Sequence, residues 1–152
     1  MALMRALTDG TAEGEVLFLA QELSFWGGVD AATGRITDHT NPACGHSLTG
    51  RILAMRRGRG SSSSSSVLAE SLRLRTGPAA ILLSVADPIL TVGAMVAQHL
   101  YGTACPIVLC PDQDLSAWAG RTIHIVAADG VATLVLKKGW APPRPAKGQK
   151  PL

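Results

Sequence analysis

Apolar residues in this chain fall in short runs separated by turn-forming residues, which is the pattern of a compact domain with several strands and few helices. Arg5–Thr8 and Glu15–Ala20 read as strands, the second carrying the run Val-Leu-Phe-Leu-Ala. Ser24 to Ser47 is dense in Gly, Asp, Asn and Thr, so it predicts turns around one short strand near Arg35–Thr37. Arg51–Met55 predicts a further strand, which ends in the loop Arg-Arg-Gly-Arg-Gly. Six consecutive serines follow, Ser61–Ser66. Val67, Leu68, Ser71, Leu72 and Arg75 then lie at i, i+1, i+4, i+5 and i+8, an amphipathic helical spacing.

The stretch from Pro78 to Leu100 is long and greasy enough to suggest a membrane span, but Asp87 sits near its centre. An acid there costs about 2.5–3.5 kcal/mol on insertion scales. Asp followed by Pro is also a helix start, as cap and first helical residue. The segment therefore predicts a buried strand, Ala79–Ser84, and then a helix, Pro88–Leu100. With the strand expected at Pro106–Leu109 this forms a crossover between parallel neighbours. Thr122–Ala127 and Val131–Leu136 flank an Asp129-Gly130 step and predict a tight hairpin. No internal repeat is present. Strand-rich ends around central helices point to a mixed α/β fold of β/β/α layers and not to a doubly wound sheet. The domain is expected over residues 1–140, with residues 141–152, which hold four prolines, as an extended or disordered tail rich in Pro and Lys.

Composition changes this picture little. At 152 residues with 47% apolar side chains, one domain can bury a full core. The net charge of +3 is local: Lys137, Lys138, Arg144, Lys147 and Lys150 face no acid after position 136, and the residues before them carry nine basic against eleven acidic groups. A nucleic-acid binder shows a basic face across the folded domain, so that class is set aside. Asp9, Glu13 and Glu15 stand where a secretion signal needs an apolar run. Cys44, Cys105 and Cys110 lack a second pair to complete a zinc or cluster site. Buried thiols in a reducing cytoplasm are expected.

The serine run carries the candidate chemistry. One reading is a flexible linker. Against it, the serines pass straight into a helix, and a break there leaves two fragments small for independent cores. As a helix start, Gly58 and Gly60 permit close approach of the backbone, Ser61 or Ser62 serves as N-cap, and the helix end with Arg56, Arg57 and Arg59 favours a carboxylate or phosphate. A dinucleotide fingerprint fails, because Ser63 replaces the third glycine and no acid follows near Ala79–Ile81. A Walker-type loop fails for want of Gly-Lys-Ser/Thr.

Leu23 to Glu70, with its Phe-Trp-Gly-Gly-Val-Asp string and Gly-Arg-Gly-Ser loop, resembles the small subunit of aconitase X. The likeness continues through the segment after Pro78 and spans roughly residues 5–110. It implies the swivelling β/β/α domain found at the C-terminus of aconitase. It also implies a heteromeric hydro-lyase whose separate or fused large subunit holds iron or an iron–sulfur cluster, which polarises the leaving hydroxyl. In aconitase relatives this domain delivers a serine as the base, and the Gly-Ser-Ser motif aligns with Gly60-Ser61-Ser62, so the resemblance assigns the base to Ser61. Arg59, Gly60, Ser62 and Ser65 are the expected substrate contacts. The motif continues with Arg and Glu in aconitase but with Ser63 and Ser64 here, which argues against tricarboxylates. A serine is a weak base until its alkoxide is stabilised, and a helix N-terminus flanked by arginines supplies positive potential.

Two substrates fit the resemblance: cis-3-hydroxy-L-proline, giving 1-pyrroline-2-carboxylate, and phosphomevalonate. An Ala/Arg-rich, Lys-poor composition in the style of a high-GC bacterium favours the first. A non-catalytic swivelling module that docks a partner stays open. His39 near Asp38, His46 near Cys44 and Asp30 are expected to be polar loop residues, and no metal ligand is expected in this chain.

Overall fold

The computed structural model of the chain describes residues 2–137; the expected tail lies outside them. The elements in chain order are β1 (Ala2–Thr8), β2 (Gly10–Leu19), a single turn α1 (Phe25–Gly28), β3 (Val29–Asp30), β4 (Arg35–Ile36), β5 (Ile52–Met55), α2 (Ser64–Arg73), β6 (Ala80–Leu83), α3 (Pro88–Tyr101), β7 (Ile107–Leu109), a 3₁₀ turn (Leu115–Trp118), β8 (Thr122–Ala128) and β9 (Val131–Leu136). Seven strands close into a barrel in the order β1-β7-β6-β5-β2-β8-β9, so the two expected β layers join at their edges. β2, β5, β6 and β7 pair in parallel, and β1, β8 and β9 complete the barrel with antiparallel pairs.

Burial explains the letters. On β5, Ile52 and Ala54 point into the barrel, while Leu53 and Met55 point outward beneath the helices, and all four are buried. β6 repeats the arrangement, with Ala80 and Leu82 inside and Ile81 and Leu83 outside. A strand covered on both faces shows no polar alternation, hence the unbroken runs. On β8 only the inner face is covered: Ile123, Ile125 and Ala127 are buried and Val126 is exposed, so its pattern alternates.

The crossover β6-α3-β7 has the expected parallel neighbours. Asp87 caps α3, its Oδ1 accepting from the N–H groups of Ile89 (2.9 Å) and Leu90 (3.1 Å). The greasy stretch after Pro78 is thus a strand and a helix, and no helix among the described residues is long and apolar enough to cross a membrane. The hairpin turn forms at Asp129 (φ 54°) and Gly130 (φ 79°), both left-handed as a primed two-residue turn requires.

Two expectations are corrected in extent. β1 and β2 begin earlier, at Ala2 and Gly10, because Ala2 to Arg5 pairs with β9 and the polar half of β2 (Gly10 to Glu15) pairs with β8. The short strand near Arg35 has a partner that the turn-rich composition hid, with Val29 opposite Ile36 and Asp30 opposite Arg35. Asp30 is structural as expected: its carboxylate accepts from the Ala32 N–H (3.0 Å) and the Thr33 hydroxyl (3.2 Å). Cys105 and Cys110 are buried thiols, and burial pushes both pKa values up to about 12. Cys44 departs from the expectation, being half-buried, with Sγ 3.7 Å from His39 Nδ1.

Candidate functional site

β5 ends at Met55, and the chain leaves the barrel through residues 56–63 before turning into α2. Two glycines make that exit possible. A Cβ on Gly58 would collide with the Asp87 carboxylate and lie 3.0 Å from Leu90 Cδ1. Gly60 has φ +100°, and a Cβ there would collide with the Ser24 hydroxyl. The close approach anticipated for both glycines is therefore to the protein's own cap of α3 and to the segment before α1.

Ser61 and Ser62 are exposed, as are Arg59 and Gly60, so four of the five expected site residues form one open strip. The Ser61 hydroxyl oxygen accepts from the Ser63 N–H at 3.1 Å, and its carbonyl accepts from the Ser64 N–H at 3.0 Å. Ser61 thus caps a tight turn that prefaces α2, one turn earlier than the helix proper. The N-cap of α2, expected at Ser61 or Ser62, falls at Ser63 instead, and Ser63 makes no side-chain cap. An N–H already directed at Oγ is the kind of donor that stabilises an oxyanion.

Ser65 goes elsewhere. Its hydroxyl donates to the Ile89 carbonyl at 2.5 Å and fastens α2 to α3. A Cβ on Gly93 of α3 would lie 2.7 Å from the Ser65 carbonyl oxygen, so the two helices meet almost backbone to backbone at this point.

Four residues of this site escape a reading by composition. Ser64 is buried, and its hydroxyl oxygen accepts from the Trp26 N–H at 3.1 Å. The Ser24 hydroxyl donates to the Trp26 carbonyl at 2.9 Å. Trp26 is consequently held on both sides of its residue by the serine machinery while its side chain stays 59% exposed. Asp38 accepts from the Thr40 hydroxyl at 2.6 Å and the Thr40 N–H at 2.9 Å. Those bonds, followed by the charge of Arg59, hold its carboxyl below the usual range. A signal for Ser64 does exist in the sequence: Ser64, Leu68, Ser71 and Leu72 are spaced i, i+4, i+7 and i+8, which places Ser64 on the buried face of α2.

The positive charge is less than three arginines suggest. Glu22 takes Arg57 Nε at 3.0 Å and Arg56 Nη1 at 3.8 Å on one carboxylate oxygen. Such exposed pairs contribute little stability, but they lower the local field and leave Arg59 as the cation nearest the exposed serines in sequence.

Gly60→Ala is expected to cost about 1–3 kcal/mol from left-handed backbone strain, and to lower any turnover that depends on Ser61, because a Cβ at Gly60 collides with the Ser24 hydroxyl and moves the loop. Gly45→Ala is the comparison, with a φ of +88° but nothing within 4 Å of its Cβ. Thermal melts and turnover of both variants separate strain from displacement. Unchanged turnover in folded Gly60→Ala would show that the contact with Ser24 does not place the loop.

The closed mixed barrel thus presents a serine-headed helix, α2, packed against a second helix, α3. Residues 2–134 match the aconitase X swivel domain family. The chain is 41% identical over 145 residues to the cis-3-hydroxy-L-proline dehydratase of Pseudomonas aeruginosa, covering 94% of this chain and 24% of that protein. It is 43% identical over 103 residues to the phosphomevalonate dehydratase small subunit of Methanopyrus kandleri, covering 68% of this chain and 72% of that one. Its fold matches the holo-form crystal structure of Thermococcus kodakaraensis aconitase X with a TM-score of 0.75 and 31% identity, over 89% of this chain and 99% of that one. The chain belongs to the aconitase X swivel domain family. It spans about a quarter of the length of the hydroxyproline dehydratase it matches.

Proposed function

We propose that this chain is the small subunit of a cytoplasmic dehydratase acting on a small hydroxy acid, with cis-3-hydroxy-L-proline as substrate and Ser61 as the base. The observation that carries the reading is the exposed Ser61 hydroxyl, which receives a backbone N–H at the head of α2 and stands next to Arg59 and Gly60. In the reaction Ser61 Oγ takes the proton from the carbon bearing the carboxylate, and the hydroxyl leaves from the adjacent carbon. The Ser63 N–H and the α2 dipole favour the anionic form of Oγ. Arg59 and the N–H groups of the loop orient the carboxylate. Ser62, also exposed, lies beside it. Ser65, committed to Ile89, contributes by fixing the loop.

Among the described residues no three of His, Cys, Asp and Glu are placed to hold a metal ion. Iron or an iron–sulfur cluster therefore does not fit the side chains of the described residues. Any such group would be held by the large subunit.

The name of the Pseudomonas aeruginosa relative supports hydroxyproline, and the Methanopyrus kandleri small subunit supports phosphomevalonate as a second reading. The discriminating experiment combines the purified chain with its cognate large subunit and supplies each substrate in turn. Water loss from cis-3-hydroxy-L-proline is expected from the assembled pair and from neither part alone. Turnover by this chain by itself would end the two-subunit reading, and turnover of phosphomevalonate alone would move the substrate.

A further inference from the structure

Helix α3 buries one face, through Leu90, Gly93, Ala94 and Ala97. A second apolar stripe runs along its other side: Val92 is 50% exposed, Met95 56%, Val96 39% and Leu100 62%. These positions are spaced i, i+3, i+4 and i+8. A helix apolar on both sides belongs in an interior, and among the described residues nothing covers this side.

We propose that the Val92–Met95–Val96–Leu100 stripe is the surface on which the large subunit docks, an inference that rests on the chain being one half of a two-part dehydratase. Three features select that occupant. The first is continuity with the serine run. Val92 and Val96 line the shallow groove along α3 and also the groove between the helices, which reaches Ser65 and Ser66. The stripe is thus continuous with a groove that ends at Ser65 and Ser66, at the head of α2 where the exposed serines begin.

The second is composition. The stripe carries no charge of its own, with only His99 among its lining residues, and Glu70 and Arg73 pair at its border. An uncharged apolar centre with a polar rim is the anatomy of a stable protein interface. The exposed apolar residues of the β8–β9 hairpin lack it. Val126, Val131 and Val135 on the hairpin alternate with His124 and Thr133, next to the Glu13–Lys137 ion pair. The third is size. The hydroxyproline dehydratase relative is about four times as long as the part this chain matches, and the Methanopyrus kandleri relative is by name a small subunit. In this family the domain works beside a much larger protein mass, which a patch of this kind suits.

The test is the affinity of the full chain for its cognate large subunit, measured by calorimetry, with circular dichroism as a check on folding. Met95→Glu/Leu100→Glu is expected to weaken binding by at least about tenfold, since a buried unpaired carboxylate opposes association. Turnover should return at high large-subunit concentration with KM unchanged, because Ser61 and its loop are untouched. Met95→Ser/Leu100→Gln should act in the same direction, and it carries the test if the charged pair folds poorly. Val126→Glu/Val131→Glu on the hairpin should bind as the parent does. Parent-like affinity of both α3 variants overturns the docking surface and leaves the dehydratase reading standing. Failure of the parent itself to bind overturns both. A parent dimer that α3 substitution dissociates, with large-subunit binding intact, assigns the stripe to a second copy of this chain and overturns the proposal.

Discussion

If Ser61 is the base of the proposed dehydratase, replacing it with alanine lowers turnover of the assembled pair by about 10²–10⁴-fold, the range typical of losing a positioned general base, while folding and assembly persist. The cost to stability is the lost bond to the Ser63 N–H, about 1 kcal/mol for a cap. The neighbouring serines act as built-in controls because each hydroxyl has a different task. Ser62 is exposed, and Ser62→Ala should stay within about tenfold of the parent. Ser64→Ala removes the acceptor for the Trp26 N–H and Ser65→Ala removes the bond to Ile89, so both should act first on stability. Circular dichroism and single-turnover rates on each variant distinguish these outcomes. A Ser61→Ala enzyme within about tenfold of the parent, with a deep loss at another serine, would transfer the role to that residue. Equal, mild losses at all six would reduce the run to a cap and spacer.

The largest effect on stability is expected from Leu68→Ala, at about 2–5 kcal/mol. Leu68 has no exposure and belongs to the core cluster between the helices and the outer face of the parallel strands, with Leu53, Met55, Leu72 and Leu83. Its loss leaves a cavity under the middle of α2, whose first turn carries Ser64 and Ser65. Leu74→Ala, at a residue 40% exposed just past the helix, should change stability by no more than about 0.5 kcal/mol. Urea unfolding measures both. A Leu68→Ala midpoint close to that of the parent would mean that α2 is held by its hydrogen bonds and not by its apolar face.

The sequence made the parallel half of the barrel plain. Leu53 with Met55, and Ile81 with Leu83, are covered by helices on one side while their neighbours fill the barrel on the other, so the letters form unbroken apolar runs. Asp87-Pro88 marked the start of α3 because the cap and the fixed proline φ are both local features. The first half of β2 stayed hidden because Gly10 to Glu15 is polar and becomes a strand only through pairing with β8, a contact over a hundred residues away. Barrel closure between β1 and β9 is hidden for the same reason. In the site, the glycines announced a tight approach but not its object. Apart from the resemblance that singled out Ser61, six identical letters do not rank the serines, and only the phase of Leu68 and Leu72 separates the inward Ser64 from the exposed pair at 61 and 62.

Across β1, β7, β6 and β5, Arg5, Leu109, Leu83 and Met55 stand in a row. The chain therefore enters β1 from the end of this row at which β5 releases the serine loop, and β9 runs beside it with Leu134 opposite Ala2. A covalent tether attached to β1 would leave from the side that presents Ser61. Tethering of that kind keeps two bodies at an effective concentration of about millimolar, so a fused relative needs little adhesion between its halves. A swivel domain that works as a free chain has no such help. On the docking proposed for α3, such a chain would draw the same encounter from surface contact alone, and that would limit how far the apolar side of α3 drifts toward polar residues.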